Sequence, residues 1–338
     1  MLYITTRDHN NISTSYKTFL SDCSTDGGRY VPFQMPAFSS EELLSLKDKT
    51  FNSVVSELLN MFFSSRLDSI ELDFAIGRNP MRLVTMNHRI VIAELWHNPR
   101  ASFSYVVESI YDKIKQTNEV KNTPTDWVQI AVRIAVLFGI YSQMLCDGIL
   151  QPGQQIDFSV YNDDFTTPIA VWYCRKMGLP VNMIICTSEE ESNIWDFIHR
   201  GVFASAAANE ELLLGLERLV HGTIGECEVE KFTAAIQKGK VYSVDEEQLP
   251  KFNEGLFCAV AGKNRAGSTI NSLFRTNSYI IDPCTALCYG GLQDYRARTG
   301  GSGLTVLLAE RTPLDFKSEI SAATGISEDK LIDLVKLN

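Results

Sequence analysis

Residues 155–187 read QIDFSVYNDDFTTPIAVWYCRKMGLPVNMIICT and contain a complete strand–helix–strand unit. QIDFSVY alternates polar and apolar residues, which is typical of a strand. TTPIAVWYCRKMG has helical spacing and ends at Gly178, with Pro180 just beyond it. VNMIICT is rich in β-branched residues and predicts a second strand. Because two strands joined through a helix pair in parallel, this stretch predicts a parallel sheet with right-handed crossovers.

The same alternation of strands and helices extends in both directions from this unit. Short apolar runs predict strands at 82–86, 89–95 and 303–310, and helical spacing predicts helices at 101–115, 125–146 and 192–201. Residues 208–275 are predicted to be mainly helical. The expected fold is therefore α/β, a mainly parallel sheet with helices on both faces. We predict two domains, a mainly helical N-terminal domain over 1–80 and an α/β core over 81–338.

The composition is that of a globular protein with an acidic surface. The chain has 338 residues, of which 45% are hydrophobic and 21% are charged, and its formal net charge is −10. Such a balance argues against nucleic acid or an anionic membrane as the main partner. The apolar segment 130–146 carries Arg133 and is too short to span a bilayer, so we predict a buried helix.

The cysteines and the N-terminus indicate the cellular compartment. The eight cysteines are scattered without a CxxC pair, and the five histidines are not clustered, so we predict no metal site. The first residues contain no basic stretch followed by an apolar run, so we predict no signal peptide. We therefore expect a cytoplasmic protein with reduced thiols.

Three polar stretches follow predicted strands. They are WHNPRASFS after 89–95, NDDFTT after 155–161 and ERTP after 303–310. In an open parallel sheet, ligands bind beyond the carboxyl ends of the strands. A pocket is therefore expected where these three stretches meet.

Six short motifs, taken in order, resemble the threonine synthases that depend on pyridoxal phosphate (PLP), which have PLP fold type II. Individually none is decisive, but their order and spacing resemble that family along most of the chain. The motifs are YITTRD (3–8), STDGGRYVP (24–32), ELWHNP (94–99), RKMGLPVNMIICT (175–187), LERL (216–219) and IDPCTA (281–286). The resemblance implies a PLP-binding α/β core.

The resemblance also implies that the catalytic lysine is absent. Alignment on His97, Pro99 and Phe103 puts the family's Schiff-base lysine at Ser104. A hydroxyl cannot form an imine with PLP. The nearest lysine is Lys113, about 13 Å further along a helix axis. We therefore predict no catalytic residue and no PLP cofactor.

Other family positions for the cofactor and the substrate also differ here. The glycine-rich phosphate turn corresponds to Asp163, Asp164, Phe165 and Thr166, which contain no glycine and add two carboxylates. The family's threonine near the pyridine nitrogen corresponds to Glu310. Between the lysine position and Trp127 the family has a mobile substrate subdomain, which is missing here because few residues intervene. The family's asparagine and arginine around that tryptophan correspond to Asp126 and Gln129.

These departures leave three functional hypotheses. The first is a non-catalytic or regulatory relative that binds a small molecule or a protein, and that could form oligomers. The second is a different enzyme with an acidic site at Asp163, Asp164, Asn162 and Glu310. The third is an active threonine synthase, converting phosphohomoserine to threonine and phosphate, for which the alignment at Ser104 would be wrong. A residual cleft in any of these cases would include His97, Asn98, Arg100 and Asn162.

Overall fold

The computed structural model of the chain describes residues 1–63, 81–87, 89–115, 123–162, 164–204 and 210–337. The strands are β1 (Leu2–Thr5), β2 (Ser13–Thr14), β3 (Tyr30–Pro32), β4 (Arg82–Asn87), β5 (Ile90–Glu94), β6 (Ile156–Tyr161), β7 (Val181–Ser188), β8 (Val202–Ala204), β9 (Val241–Ser243), β10 (Leu256–Val260) and β11 (Leu304–Ala309). The α-helices are α1 (Lys17–Leu20), α2 (Ser40–Ser45), α3 (Phe51–Phe63), α4 (Phe103–Lys115), α5 (Asp126–Cys146), α6 (Thr166–Lys176), α7 (Asn193–Arg200), α8 (Glu210–Thr223), α9 (Glu226–Gln237), α10 (Leu249–Asn253), α11 (Lys263–Asn277), α12 (Pro283–Thr299), α13 (Lys317–Thr324) and α14 (Glu328–Leu337). Short 3-10 helices lie at Leu46–Asp48, Pro99–Ala101 and Pro313–Phe316.

The central sheet has six strands in the order β10-β7-β6-β11-β5-β4. Neighbouring strands are parallel except β4, which pairs antiparallel with β5. The predicted strand–helix–strand unit is β6, α6 and β7. Gly178 ends this helix with φ of 101°, and a Cβ there would lie 2.5 Å from the carbonyl oxygen of Phe38. The predicted mainly parallel α/β fold is confirmed.

The described residues of 208–275 are mainly helical, as predicted, but they also contain the edge strand β10, which the sequence analysis did not predict. It is formed by LFCAV and pairs in parallel with β7, with Cys258 opposite Cys186. A five-residue apolar run has no periodicity that separates a buried strand from a buried helix. Gly255, which adopts a φ of 78°, was the only local indication that a new element begins there.

The N-terminal region is less helical than predicted, because it opens with a three-stranded antiparallel sheet in the order β2-β1-β3. Each of these strands has two to four residues, too few to give a periodic pattern. Helix α3 then packs against α5, and both belong to the same hydrophobic cluster. The domain boundary at residue 80 remains a prediction, since residues 64–80 lie outside the described part of the chain.

The sheet is buried on both faces by two hydrophobic clusters. In β5, Val91 and Ala93 belong to one cluster, whereas Ile90 and Ile92 belong to the other. Alternate residues of a strand point to opposite faces. Helices α5 and α6 cover the first face, and α11 and α12 cover the second. Continuous apolar strands such as IVIA and MIIC follow from this double coverage.

Helix α5 is the one helix in the described part of the chain that is both long and apolar enough to cross a membrane. Its 21 residues are enough to cross a membrane by length and composition, so the prediction that this segment is too short was wrong. However, 83% of its most apolar window is buried inside the protein. This burial supports the prediction that the segment is a core helix.

A buried ion pair joins the N-terminal sheet, α5 and α8. The Arg218 side chain is fully buried, and its Nη1 donates to Asp126 Oδ2 at 2.9 Å. Its Nε donates to the carbonyl oxygen of Tyr30 at 3.2 Å, and the guanidinium lies over the ring of Trp127. The main-chain N–H of Asp126 donates to Asp22 Oδ1. Each partner of this pair is therefore held by a different part of the chain.

Removing the guanidinium should leave a buried carboxylate without its partner. We expect Arg218→Met to lower the free energy of unfolding by about 3–5 kcal/mol, measured by urea titration with far-UV circular dichroism. The control is Arg200→Met, which breaks an exposed pair with Asp196 and should cost less than about 1 kcal/mol. An equal loss in the two variants would contradict the prediction.

The C-terminal end of α11 contains a position where a substitution should stabilise the protein. Exposed Ser278 follows this helix in the left-handed conformation, with φ of 54°. Glycine adopts this conformation without the clash of a Cβ, so Ser278→Gly should raise the free energy of unfolding by about 1 kcal/mol. Ser272→Gly, at an exposed position inside the same helix, should lower it by about 0.5–1 kcal/mol. Thermal melting of the two variants checks both signs.

Candidate functional site

The carboxyl ends of β5, β6 and β11 meet at one edge of the sheet, as the sequence predicted. The first cavity at this edge, called here the Ser104 cavity, has a volume of about 350 Å³. It lies between the start of α4, the first turns of α5 and the end of β11. Its described lining consists of Leu95, Ser102, Phe103, Ser104, Val107, Glu108, Pro124, Gln129, Arg133 and Glu310.

Ser104 opens onto this cavity from the second position of α4. Its side chain is exposed, and its Oγ lies 3.1 Å from the Oγ of Ser102. Ser102 in turn donates to the carbonyl oxygen of Pro99 at 2.6 Å. The turn before α4 is ordered by Asn98, whose Oδ1 accepts from the main-chain N–H of Arg100. The position expected for a lysine therefore carries a hydroxyl within a short polar network.

A smaller cavity of about 90 Å³, called here the Thr167 cavity, adjoins the first one and shares Arg133 and Glu310 with it. Arg133 Nε donates to Thr167 Oγ1 at 3.1 Å, and Thr167 Oγ1 donates to Glu310 Oε1 at 3.3 Å. This chain of hydrogen bonds connects α5, α6 and the end of β11. Its remaining described lining consists of Tyr161, Asp164, Asp282, Cys284, Thr285, Leu308 and Arg311.

The segment that the sequence resemblance predicts as the family's phosphate turn is built differently from a glycine-rich loop. Asp164 Oδ1 accepts from the main-chain N–H of Thr166 at 2.8 Å, at the start of α6. Phe165 is buried with φ of 62°, a conformation that costs a non-glycine residue about 1–2 kcal/mol. Its ring lies close against Gly215 of α8, where a Cβ would be 2.9 Å from Phe165 Cδ1. Asp163 lies outside the described residues.

The structure separates the other predicted site residues from these two cavities. His97 is exposed, and its Nδ1 lies 3.7 Å from Glu94 Oε2. Arg100 is also exposed. Asn162 is buried, its main-chain N–H donates to the carbonyl oxygen of Thr187, and its Oδ1 has no hydrogen-bond partner among the described residues. None of these residues, nor Asn98, lines either cavity in the described part of the chain.

Sequence reasoning missed Arg133 and Thr167 as site residues. Arg133 was seen only as a charged residue within an apolar segment, and Thr167 only as part of a helix start. A charged residue inside a long buried helix is itself a signal, because burying a charge without a role is costly. Which face of α5 meets the cavity follows from tertiary packing alone.

A third and larger cavity, of about 860 Å³, lies between α11 and α13 and was not predicted. It shares Tyr161, Cys284 and Arg311 with the Thr167 cavity. Its lining mixes apolar residues such as Ile270 and Phe316 with polar and charged ones. Three cavities therefore lie along the carboxyl edge, and each shares lining residues with its neighbour.

The acidic residues at this edge do not form a metal cluster in the described part of the chain. Asp164 caps α6, and Glu310 accepts from Thr167. The hypothesis of an acidic site that includes Asp163 stays a prediction, because that residue is not described.

Glu94, at the end of β5, is a buried carboxylate at this edge. Tyr279 Oη donates to Glu94 Oε1 at 2.6 Å, and Arg82 Nη1 donates to Glu94 Oε2 at 3.2 Å. Burial raises the pKa of Glu94, and the hydrogen bond from Tyr279 and the charges of Arg82 and His97 oppose that rise only in part. This network fixes the strand end that precedes the turn to Ser104.

The overall fold and this edge define an α/β protein with the architecture of PLP fold type II. The model of the family described as "Threonine synthase N terminus" matches residues 2–79. The structure is similar to PLP-bound threonine synthase from Brucella melitensis, with a TM-score of 0.82, 16% identity and coverage of 99% of this chain and 94% of that one. It is also similar to threonine synthase from yeast, with a TM-score of 0.79, 14% identity and coverage of 97% and 91%.

Curated relatives agree with these matches at low identity. Human "Threonine synthase-like 1" is 21% identical over 175 residues, which are 48% of this chain and 23% of that protein. Threonine synthase from Pseudomonas aeruginosa is 24% identical over 230 residues, which are 64% of this chain and 46% of that protein. The chain thus spans less than a quarter of the human relative and about half of the bacterial one.

The family model, the curated relatives and the shared fold together support a member of the threonine synthase family. The predicted fold class is confirmed, and these matches support the predicted family. That the chain is a shortened and degenerate member stays a prediction. The described residues between Ser104 and Trp127 form helix α4 and the approach to α5. The loss of a substrate subdomain stays a prediction, because the similarity spans 94% of the Brucella chain.

The raised pKa of Glu94 predicts a pH dependence of stability. The folded chain holds this proton more tightly than the unfolded chain, so ionisation of Glu94 lowers the free energy of unfolding as pH rises above the usual 4.5. Glu94→Gln cannot ionise at this position. The free energy of unfolding of this variant, relative to the parent, should therefore increase as pH rises from 4.5 through the folded pKa and then level off. Urea titrations across that range measure the difference, and a constant difference would contradict the prediction.

Proposed function

We propose that this chain is a threonine synthase-like protein that has lost PLP binding and catalysis and acts as a binding or regulatory relative. The observation that carries the proposal is Ser104 at the mouth of the Ser104 cavity. An internal aldimine needs a primary amine, and a hydroxyl cannot replace it. The geometry supports this assignment, since Ser104 faces the hollow that adjoins Glu310 and Thr167.

Other lysines offer no substitute at this place. No lysine is among the described residues that line the Ser104 and Thr167 cavities. Lys113 and Lys115 lie in the last turn of α4, more than two helical turns beyond Ser104. Lys263 lines the cavity between α11 and α13, where its side chain is 85% exposed and lies 3.8 Å from Glu189.

The phosphate group of PLP also lacks a suitable cradle. Helix N-termini bind phosphate through main-chain N–H groups that are free to donate. At the start of α6, Asp164 Oδ1 accepts from one of these groups, that of Thr166, so a carboxylate lies in the segment that the sequence resemblance aligns with the phosphate turn. Two like charges about 4 Å apart repel by about 4 kcal/mol at an effective dielectric constant near 20. The residues present do not fit the cofactor.

The cavities at the carboxyl edge favour a protein that binds a ligand over one with a purely structural role. We propose that the occupant is a small molecule or a segment of a protein partner at the carboxyl edge, and that the protein works in the cytoplasm without nucleic acid or membrane. Formation of oligomers remains part of this proposal. The second candidate is an active PLP-dependent threonine synthase, which the TM-score of 0.82 to the PLP-bound Brucella enzyme favours.

A PLP titration followed by absorbance tests the proposal. We expect no saturable aldimine band for the purified chain and no formation of threonine or phosphate from phosphohomoserine. The control is the Lys113→Ala/Lys115→Ala double variant, whose spectrum should match that of the parent.

A saturable band in the parent would contradict the proposal. Loss of that band in the control variant would assign it to α4. Turnover of phosphohomoserine would establish the second candidate and show that the Ser104 alignment is wrong.

A further inference from the structure

We propose that the Ser104 cavity binds a small organic monocarboxylate whose carboxylate is held by Arg133. The inference rests on the proposed function, because it takes the cavity to be free of a covalently held cofactor. It adds the chemical class of the ligand and the residue that recognises it.

Arg133 is the cation of this cavity. Its guanidinium is half-buried and borders both the Ser104 and the Thr167 cavities. Nε donates to Thr167 Oγ1 at 3.1 Å, and Nη1 makes a long hydrogen bond of 3.4 Å to the carbonyl oxygen of Gln129. Among the described residues, no carboxylate lies within 4.0 Å of its side-chain nitrogens. A half-buried guanidinium without a counter-ion is a receptor for an oxyanion.

The position of this guanidinium is fixed before any ligand arrives. The hydrogen bond to Thr167 holds one edge, and Thr167 is itself held by its bond to Glu310. The ring of Phe103 lies 5.0 Å from the guanidinium carbon. Because the planar fork is already oriented, little side-chain entropy is lost when a carboxylate binds to it.

The surrounding charges select a monoanion over a dianion. In the described lining of the Ser104 cavity, Glu108 and Glu310 lie beside a single cation, Arg133. The adjoining Thr167 cavity adds Asp164 and Asp282 together with a second cation, Arg311. A single negative charge on the ligand is balanced by Arg133, whereas a second charge would be repelled by these carboxylates. A carboxylate therefore suits the site better than a phosphate does.

The rest of the cavity indicates an apolar body for the ligand. Leu95, Phe103, Val107 and Pro124 form part of its wall. The volume of about 350 Å³ lies at the lower end of the range of small-molecule sites. The site thus pairs one fixed cation with an apolar surface of modest size.

Isothermal titration calorimetry with benzoate, benzamide and inorganic phosphate tests this inference on the full chain. We expect benzoate to bind at a single saturable site. Benzamide has the same shape without the charge, and its Kd should be about tenfold higher or more. Inorganic phosphate should also bind more weakly than benzoate.

Three variants locate the site. Arg133→Gln should raise the Kd of benzoate about tenfold or more. Arg175→Gln removes a partly buried arginine on α6 that lines neither cavity, so the Kd should stay unchanged. Ser104→Phe places a ring from an exposed position into the cavity while leaving Arg133 intact, and it should abolish binding even if Arg133→Gln fails to fold.

Absence of benzoate binding to the folded parent would overturn the inference, as would tighter binding of phosphate. Unchanged benzoate binding in both Arg133→Gln and Ser104→Phe would overturn it as well. The PLP titration separates this failure from that of the proposed function. Without an aldimine band, a negative benzoate result removes only the carboxylate site, whereas an aldimine band contradicts the proposed function whatever benzoate does.

Discussion

The buried pair of Arg218 and Asp126 is the interaction on which the arrangement of the rest of the molecule depends. It lies where α8, the first residue of α5 and the carbonyl oxygen of Tyr30 in the N-terminal sheet converge. A guanidinium with no exposed surface is tolerated only when a carboxylate and further acceptors surround it. The pair therefore sets how the N-terminal region sits against α5, and α5 carries Arg133 to the carboxyl edge of the sheet.

In this pair, Asp126 has a structural role. On the alignment proposed from the sequence motifs, Asp126 stands where the family has an asparagine beside a tryptophan. Here the carboxylate is almost fully buried and committed to Arg218. It is therefore part of the framework. About two turns further along α5, Arg133 instead borders the Ser104 cavity.

Much of the fold could be predicted from the sequence, because β5, β6, β7 and β11 are apolar runs bounded by clear turns and helix ends. Edge strand β10 could not be predicted, since five apolar residues buried on a sheet carry no periodic signal. The N-terminal strands are shorter still. At the site, Ser104, Asp164 and Glu310 were identified through the resemblance to family motifs, and they lie in stretches that follow predicted strands. Arg133 was missed, because only the packing of α5 shows that it borders a cavity.

The residues at the carboxyl edge that differ from the family motifs lie close together in the structure. Ser104, the capping carboxylate of Asp164 and the Arg133–Thr167–Glu310 chain border two adjoining cavities. On the alignment proposed from the sequence motifs, hydroxyls and a carboxylate stand where the family has an amine and a glycine-rich turn. We therefore propose a threonine synthase fold in which this edge serves as a noncovalent binding site.

Borohydride reduction of the chain in the presence of PLP, followed by peptide mapping with mass spectrometry, tests this account most directly. Reduction fixes any imine as a stable secondary amine at the lysine that formed it. The account predicts no lysine reduced in stoichiometric yield. Stoichiometric labelling of one lysine, prevented by prior addition of phosphohomoserine, would contradict it.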